Sequence, residues 1–128
     1  MTAWTSAELN KIGAAEELRI ASLRADSTLR KPVIIWVVRL GDDLYVRSVN
    51  GRTSAWFHGV QTRHEGHIRA GGVDKDVTFV EEAGAEINKQ IDAAYRAKYR
   101  RNPASVDHIN SPTARSATIK LVPRPTGA

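Results

Sequence analysis

The chain has 128 residues, a net charge of +5 and no cysteine, and at this length one domain buries about two-thirds of its unfolded surface without disulfides or a structural metal. The missing cysteine excludes thiolate metal clusters, cysteine nucleophiles and disulfides, and it is typical of the reducing cytoplasm, where we expect the protein to reside. Basic residues prevail over residues 30–69 and from residue 96 onward, which indicates either a solubilising surface or an anionic partner: a phosphate-bearing cofactor, a nucleic acid or an acidic protein.

A helix and a strand are predicted at the start of the chain. Thr5-Ser6-Ala7-Glu8 is a capping box, in which the threonine hydroxyl and the glutamate carboxylate satisfy free backbone donors, and the helix is expected to end near Gly13. No basic region precedes an apolar run in residues 1–10, so we expect no secretory signal. Weak alternation over residues 17–23 predicts a strand, and a polar loop follows it.

The most apolar stretch covers residues 33–38 and is rich in β-branched side chains. It predicts a central strand that is buried on both faces. Because it falls far short of the roughly 20 residues that a membrane helix requires, we expect a soluble protein. A turn at residues 41–43 leads to a returning strand over residues 44–49, and Asn50-Gly51 forms the next turn. A short helical turn is predicted over residues 54–59.

The second half of the chain predicts a hairpin, a long helix and a last strand. Two strands around a Gly-Gly turn form the hairpin over residues 64–80. Residues 83–100 place apolar and aromatic side chains on one helical face, and acidic residues lie early and basic residues late, which suits the helix dipole. A short helical piece between two prolines precedes the last strand, over residues 118–122. We expect one domain over residues 1–122 and a flexible tail over residues 123–128.

No sequence motif identifies a catalytic or metal site. If residues 64–70 form a strand, His64 and His67 point to opposite faces and cannot share one ion, so we predict no metal site. The chain has no Gly-x-Ser-x-Gly elbow, no phosphate-binding glycine loop and no paired carboxylates outside hairpin ends. We therefore name no catalytic residue. His58 and His64 are the candidates for proton transfer, because histidine titrates near neutrality, although an ordinary surface role accounts for both.

Residues 45–56 form the candidate binding segment. Arg47 and Ser48 adjoin on the predicted strand, and the following Asn-Gly turn brings Arg52 back towards them. Arginine and serine side chains and turn amides suit phosphate oxygens, and Trp56 offers an apolar wall for a planar ring. The alternative is a hairpin with exposed arginines and a core tryptophan.

A second basic segment, residues 95–101, interleaves tyrosines with cations, as single-strand nucleic-acid binders do. Tyr95 and Tyr99 coincide with the apolar face of the predicted helix, however, which favours a role in the core over a stacking platform. Nucleic-acid binding is therefore the weaker interpretation of this segment.

Several segments resemble a small, uncharacterised bacterial protein family: Trp4-Thr5, residues 30–39, residues 44–51 with Trp56, and residues 67–72 with the long helix. More distantly, the chain resembles the split β-barrel proteins that bind FMN or a deazaflavin, such as the pyridoxamine-phosphate-oxidase-like and deazaflavin-dependent nitroreductase groups. This resemblance implies an α+β, mainly β fold: a small antiparallel split barrel with an N-terminal helix and one long helix in the second half of the chain. It also implies a homodimer that binds the cofactor where two barrels meet.

The same resemblance implies a set of cofactor-binding residues. The phosphate of FMN or a deazaflavin would be held by basic and hydroxyl side chains, namely Arg30, Lys31, Arg47, Ser48 and Arg52. Trp36 or Trp56 would flank the ring. The implied function is an oxidoreductase that acts on a small organic molecule, with the hydride chemistry carried by the cofactor. The alternatives are a barrel that has kept the fold without the cofactor and binds a small ligand or a protein, or a weak nucleic-acid binder.

Overall fold

The fold is built from seven strands and five α-helices over residues 3–124, the part of the chain that the computed structural model describes. The strands are β1 (Leu18–Ser22), β2 (Val33–Ile35), β3 (Val37–Leu40), β4 (Asp43–Arg47), β5 (Glu65–Ala70), β6 (Val73–Glu81) and β7 (Thr118–Pro123). The helices are α1 (Ser6–Ala14), α2 (Ala55–Arg63), α3 (Ala85–Lys98), α4 (Pro103–Ile109) and α5 (Pro112–Arg115). These elements follow the predicted order, except that residues 33–38 are divided between two strands and that helix α5 was not predicted.

The strands form one antiparallel sheet that curls into a nearly closed barrel. Their order across the sheet is β2-β1-β5-β6-β7-β4-β3, so the two edge strands, β2 and β3, are neighbours in sequence and only Trp36 separates them. β2 pairs with β1, whereas β3 pairs with β4. At Trp36 the chain passes from one edge of the sheet to the other edge, and this backbone connection closes the barrel.

This closure corrects the prediction of a single central strand over residues 33–38. The run is divided between the two edges of the sheet, and Ile34 in β2 is 53% exposed. The two valines that follow Trp36 are buried in two different places. Val37 lies in the barrel interior, whereas Val38 packs outside the barrel against α3. A continuous apolar run thus serves three different environments.

The barrel interior is filled by alternate side chains of the strands and is closed at one end by α1. Leu18 and Ile20 of β1 are buried there together with Phe79 of β6. The predicted capping box of α1 is confirmed, with both reciprocal hydrogen bonds between Thr5 and Glu8 present. Just before it, the buried Trp4 indole donates a hydrogen bond to a backbone carbonyl of β7 at 2.9 Å.

The long helix α3 covers the outer face of β3 and β4. Its Ile91, Tyr95 and Tyr99 are buried against Val38 and Tyr45, so the predicted apolar face is confirmed. Both tyrosines are therefore core residues. The interpretation of this segment as a stacking platform for bases loses its support.

The remaining elements agree with the local turn signals. The β5–β6 hairpin turns at two glycines with positive φ, as predicted. Helix α2 is longer than the predicted helical turn and runs to Arg63. Strand β7 includes Pro123, which is buried and pairs with Val77, so the sheet extends into the segment predicted as a tail; residues 125–128 lie outside the described residues. Within the described part of the chain, every helix is too short or too polar to cross a lipid bilayer.

Candidate functional site

A recess of about 460 Å³ lies beside the bend that closes the barrel; we call it the tryptophan recess. It is lined by four parts of the chain: residues 33–36, residues 47–50, the start of α2 with Ser54 and Trp56, and α4 with Ser105, His108 and Ile109. This volume is within the range of sites for small molecules and cofactors. The recess brings together four of the residues predicted from the sequence: Trp36, Arg47, Ser48 and Trp56.

Trp36 is held rigidly by helix α3. Its ring stacks on Tyr99 with centroids 3.8 Å apart and planes 3° from parallel. The Tyr95 hydroxyl donates a hydrogen bond to the Trp36 carbonyl at 3.2 Å, and the Tyr99 hydroxyl donates one to the carbonyl of Glu16 at 2.7 Å. Burial raises the pKa of both tyrosines, so both hydroxyls remain donors at neutral pH. The indole therefore presents a fixed apolar surface to the recess.

The opposite side of the recess is formed by Trp56 and two serines. Trp56 lies in the first turn of α2 and packs edge-on against the buried Phe57. The hydroxyls of Ser48 and Ser54 are 2.8 Å apart and form a hydrogen-bonded pair on the lining. Ser48 was predicted from the sequence and Ser54 was not. The tight turn between them was the available signal, since it folds the chain back within six residues.

Arg47 has a different role from the phosphate ligand expected from the sequence. Its side chain is fully buried, and each guanidinium nitrogen donates to a protein acceptor. The acceptors are the Thr118 hydroxyl, the Asp92 carboxylate at 2.5 Å, the Asn88 and Asn110 side-chain oxygens, and the carbonyls of Asn88 and Ile109. A guanidinium carries five N–H donors, and these acceptors occupy them all. Arg47 therefore joins β4 to α3, α4 and β7 beneath the recess.

Arg52 is also engaged within the protein. One of its terminal nitrogens lies 2.9 Å from a carboxylate oxygen of Glu81 and 2.9 Å from the Ser116 carbonyl. These contacts tie the 3-10 turn that contains Arg52 to β6 and to the chain before β7. Arg52 is not among the residues that line the tryptophan recess.

Among the basic residues that were predicted to bind phosphate, Arg30 has the surroundings that best suit a ligand of an anion. It is half-buried against Gly59, where a β-carbon would come within 2.9 Å of the Arg30 Nε. Gly59 follows Trp56 by three residues in α2, so the two positions share one face of that helix. Within residues 3–124, the Arg30 guanidinium has no carboxylate partner, and its Nε and the neighbouring Ser22 hydroxyl are buried without a hydrogen bond. Lys31 follows it and is exposed, and neither Arg30 nor Lys31 is among the residues that line the tryptophan recess.

The structure places one histidine at the tryptophan recess, and it is not one of the predicted candidates. His58 and His64 are both exposed and do not line the recess, whereas His108 of α4 does. His67 lies outside the recess between Asp74 and Asp76, and its Nδ1 is 2.7 Å from Asp76. Burial disfavours its charged form, but the two carboxylates outweigh burial and raise its pKa. No sequence signal marked His108, since only the tertiary fold brings α4 to this recess.

Comparison with protein families gives one match that spans most of the chain. The profile of a family described as "uncharacterized protein conserved in bacteria (DUF2255)" matches residues 8–121. A search of the curated proteins found no match. The family resemblance inferred from the sequence is confirmed by the profile match.

Solved structures with the same fold include several proteins whose names refer to flavin-type cofactors. A protein from Listeria innocua named provisionally as a pyridoxamine 5'-phosphate oxidase has a TM-score of 0.64 at 16% identity, over 91% of this chain and 90% of its own. An F420 reductase has a TM-score of 0.53 at 13% identity, over 97% of each chain. An FAD-binding protein from Mesorhizobium loti has a TM-score of 0.58 at 14% identity, over 97% of this chain and 93% of its own. At these identities the similarity establishes the fold alone and confirms the predicted split barrel.

Proposed function

Because the chain belongs to the DUF2255 family of uncharacterised bacterial proteins, we propose a function from its own recess: it binds FMN or a deazaflavin there and acts as an oxidoreductase on a small organic molecule. The observation that carries this proposal is that Trp36 and Trp56, which are 20 positions apart, border one recess of about 460 Å³. Two indoles beside an apolar recess suit a flat, partly apolar ring system. The neighbouring folds whose names mention flavin or F420 support the choice of cofactor class.

Arg30 and Lys31 are the residues that we assign to the cofactor phosphate. Arg30 has free guanidinium donors, and its packing against Gly59 places it one helical turn from Trp56. A half-buried arginine without a carboxylate partner suits a phosphate, because guanidinium donors match phosphate oxygens in pairs. Arg47 and Arg52 leave the proposed phosphate set, since protein acceptors already engage them.

The protein residues have limited tasks in such a reaction. The cofactor, when bound, supplies hydride chemistry. Trp36 and Trp56 would orient the ring and exclude water, and the paired hydroxyls of Ser48 and Ser54 would accept or donate hydrogen bonds at its polar edge. Among the described residues, His108 is the one histidine on the lining and can exchange a proton with a bound substrate.

The first expected result concerns binding and tests the proposed function directly. Purified protein should bind FMN or a deazaflavin with a shifted visible spectrum and a raised melting temperature. Arg30→Gln should weaken this binding roughly tenfold, because it removes a charged hydrogen bond to phosphate. Arg52→Gln is the matched control, since it removes the same charge from a residue that Glu81 and the Ser116 carbonyl already engage, and the affinity of this variant should stay near that of the wild type.

Two outcomes would refute this proposal. If neither cofactor alters the spectrum or the melting temperature, the oxidoreductase function is lost. The alternative, a module that binds a small ligand without a cofactor, would then be favoured. The lining agrees with such a ligand, since it carries Arg47 and His108 as basic side chains and, among the described residues, no carboxylate. An equal loss of affinity in both arginine variants would show that Arg30 acts only through net charge.

We further propose that a second copy of this chain covers the mouth of the tryptophan recess. Ile34 and Val49 line the recess and are 53% and 42% exposed, an apolar rim that water solvates poorly. Light scattering should show a dimer that Ile34→Lys dissociates, because the substitution would bury a charge between the copies. Val80→Lys, on an equally exposed valine of β6 outside the recess, should leave the dimer intact. A monomeric wild-type protein would contradict this assignment.

A further inference from the structure

A second recess, of about 490 Å³, lies at the C-terminal end of α3 and is lined in part by Tyr99, whose ring stacks on Trp36; we call it the cationic recess. Its main lining residues are Glu16, Lys98, Tyr99, Arg100, Arg101 and Asn102. Three cations thus face one carboxylate around a concave surface. The basic segment noticed in the sequence forms this recess, and the proposed function makes no use of it.

Among the described residues, Glu16 is the one carboxylate that lines this recess beside its three cations. Among residues 3–124, neither Arg100 nor Arg101 forms an ion pair, and both are exposed. Lys98 is half-buried and donates a hydrogen bond from Nζ to the Val37 carbonyl at 2.6 Å. Burial lowers the pKa of Lys98 to about 8, while Glu16 partly opposes that effect. Three clustered cations beside a single carboxylate keep a net positive charge, and an anion bound between them relieves their mutual repulsion.

We propose that the cationic recess binds a compact polyanion, a small molecule that bears phosphate groups or several carboxylates. The burial of Tyr95 and Tyr99 argues against a single-stranded nucleic acid, which stacks its bases on exposed aromatic side chains. Cations near the C-terminus of a helix also offset its dipole. Arg96 of α3 serves that purpose equally well without lining the recess, so it separates the two roles experimentally.

The cationic recess is connected to the tryptophan recess through shared contacts. Lys98 donates to the carbonyl of Val37, the residue after Trp36, and the Tyr99 hydroxyl also lies 3.2 Å from that carbonyl. The Tyr99 ring stacks directly on Trp36. An anion that draws Lys98 away from Val37 therefore alters the support of Trp36. Because binding equilibria are reciprocal, occupancy of either recess changes the affinity of the other.

The test uses cofactor-free protein, so its result is independent of the proposed flavin binding. Sodium pyrophosphate is titrated at constant ionic strength, with NaCl as the balancing salt, and the Trp36 indole N–H signal is followed by NMR after assignment with Trp36→Phe. We expect saturable binding with a shift of that signal. The double variant Arg100→Gln/Arg101→Gln should bind at least roughly tenfold more weakly, and Arg96→Gln should remain within about twofold of the wild type.

The contrary results are equally specific. An identical response to NaCl alone, or an equal loss in Arg96→Gln, would overturn the site and leave only general charge attraction. Binding without a change at Trp36 would overturn the connection between the recesses. If the double variant does not fold, the single variants Arg100→Gln and Arg101→Gln take its place. A parallel titration with citrate distinguishes phosphate groups from carboxylates as the preferred ligand.

Discussion

Replacing Arg47 by methionine is expected to lower the free energy of unfolding by about 3–5 kcal/mol, the usual cost of breaking a buried ion pair. The substitution leaves the Asp92 carboxylate, which is almost fully buried, without its closest partner. It also deprives Thr118 and Asn88 of hydrogen bonds that join β4 to β7 and to α3. Urea unfolding followed by circular dichroism measures the change.

Two further variants separate the causes of this destabilisation. Arg115→Met removes the other arginine bound to Asp92, but its side chain is 43% exposed, so it should cost no more than about 1 kcal/mol. Adding Asp92→Asn to Arg47→Met should restore part of the stability, because it removes the unpaired charge. If Arg47→Met instead left unfolding unchanged and reduced flavin affinity, Arg47 would be the phosphate ligand that its sequence position suggested.

Gly66→Ala is expected to lower the free energy of unfolding by about 3 kcal/mol, the upper end of the usual cost of overpacking. Gly66 is the second residue of β5 and pairs with both β1 and β6. A β-carbon there would collide with the backbone carbonyl of Ala21 and come within 2.8 Å of the Phe79 ring. The carbonyl cannot move away, because the neighbouring strands hold β1 on both sides.

Gly13→Ala provides the control for this prediction. Gly13 lies in α1, where a β-carbon would meet the Cβ and Cδ atoms of Arg39 at 3.2 and 3.3 Å and no backbone atom, so a shift of a few tenths of an ångström accommodates it. Alanine also favours a helix over glycine by up to about 1 kcal/mol, so this variant should match or exceed the wild-type stability. Thermal and urea unfolding of both variants give the comparison. If the Gly66→Ala protein were as stable as Gly13→Ala, the strands around residue 66 would have to shift enough to accommodate the added methyl group, and the prediction would be wrong.

The elements predicted correctly are those whose signals lie within a few residues of one another. The capping box of α1 depends on Thr5 and Glu8, three positions apart, and the β5–β6 turn depends on the adjacent Gly71 and Gly72. Helix α3 was predicted from the spacing of its own apolar residues. Such interactions are settled locally, so they are readable in a single sequence.

The candidate site was predicted only in part, because its parts lie far apart in the chain. Trp36, Trp56 and Ser48, which the sequence indicated as cofactor-binding residues, line one recess. Whether they bind a cofactor remains a prediction. Ser54 and His108 were not found, and His108 arrives at the recess on α4, about 60 residues after Ser48. Proximity of that kind follows from packing of the helices onto the barrel and leaves no local pattern.

By itself, the sequence of this protein determined the order of helices and strands, the apolar face of α3 and the likeness to split barrels, since each depends on residue types and their spacing. Only the tertiary structure decided that residues 33–40 bend at Trp36 to close the barrel. It also decided that Arg47 is an internal ion-pair partner and Arg30 is not. In the sequence alone, an arginine that forms an internal ion pair cannot be told from one that does not. The role of Arg47 depends on acceptors 41 to 71 residues away, which only the completed fold brings within hydrogen-bonding distance.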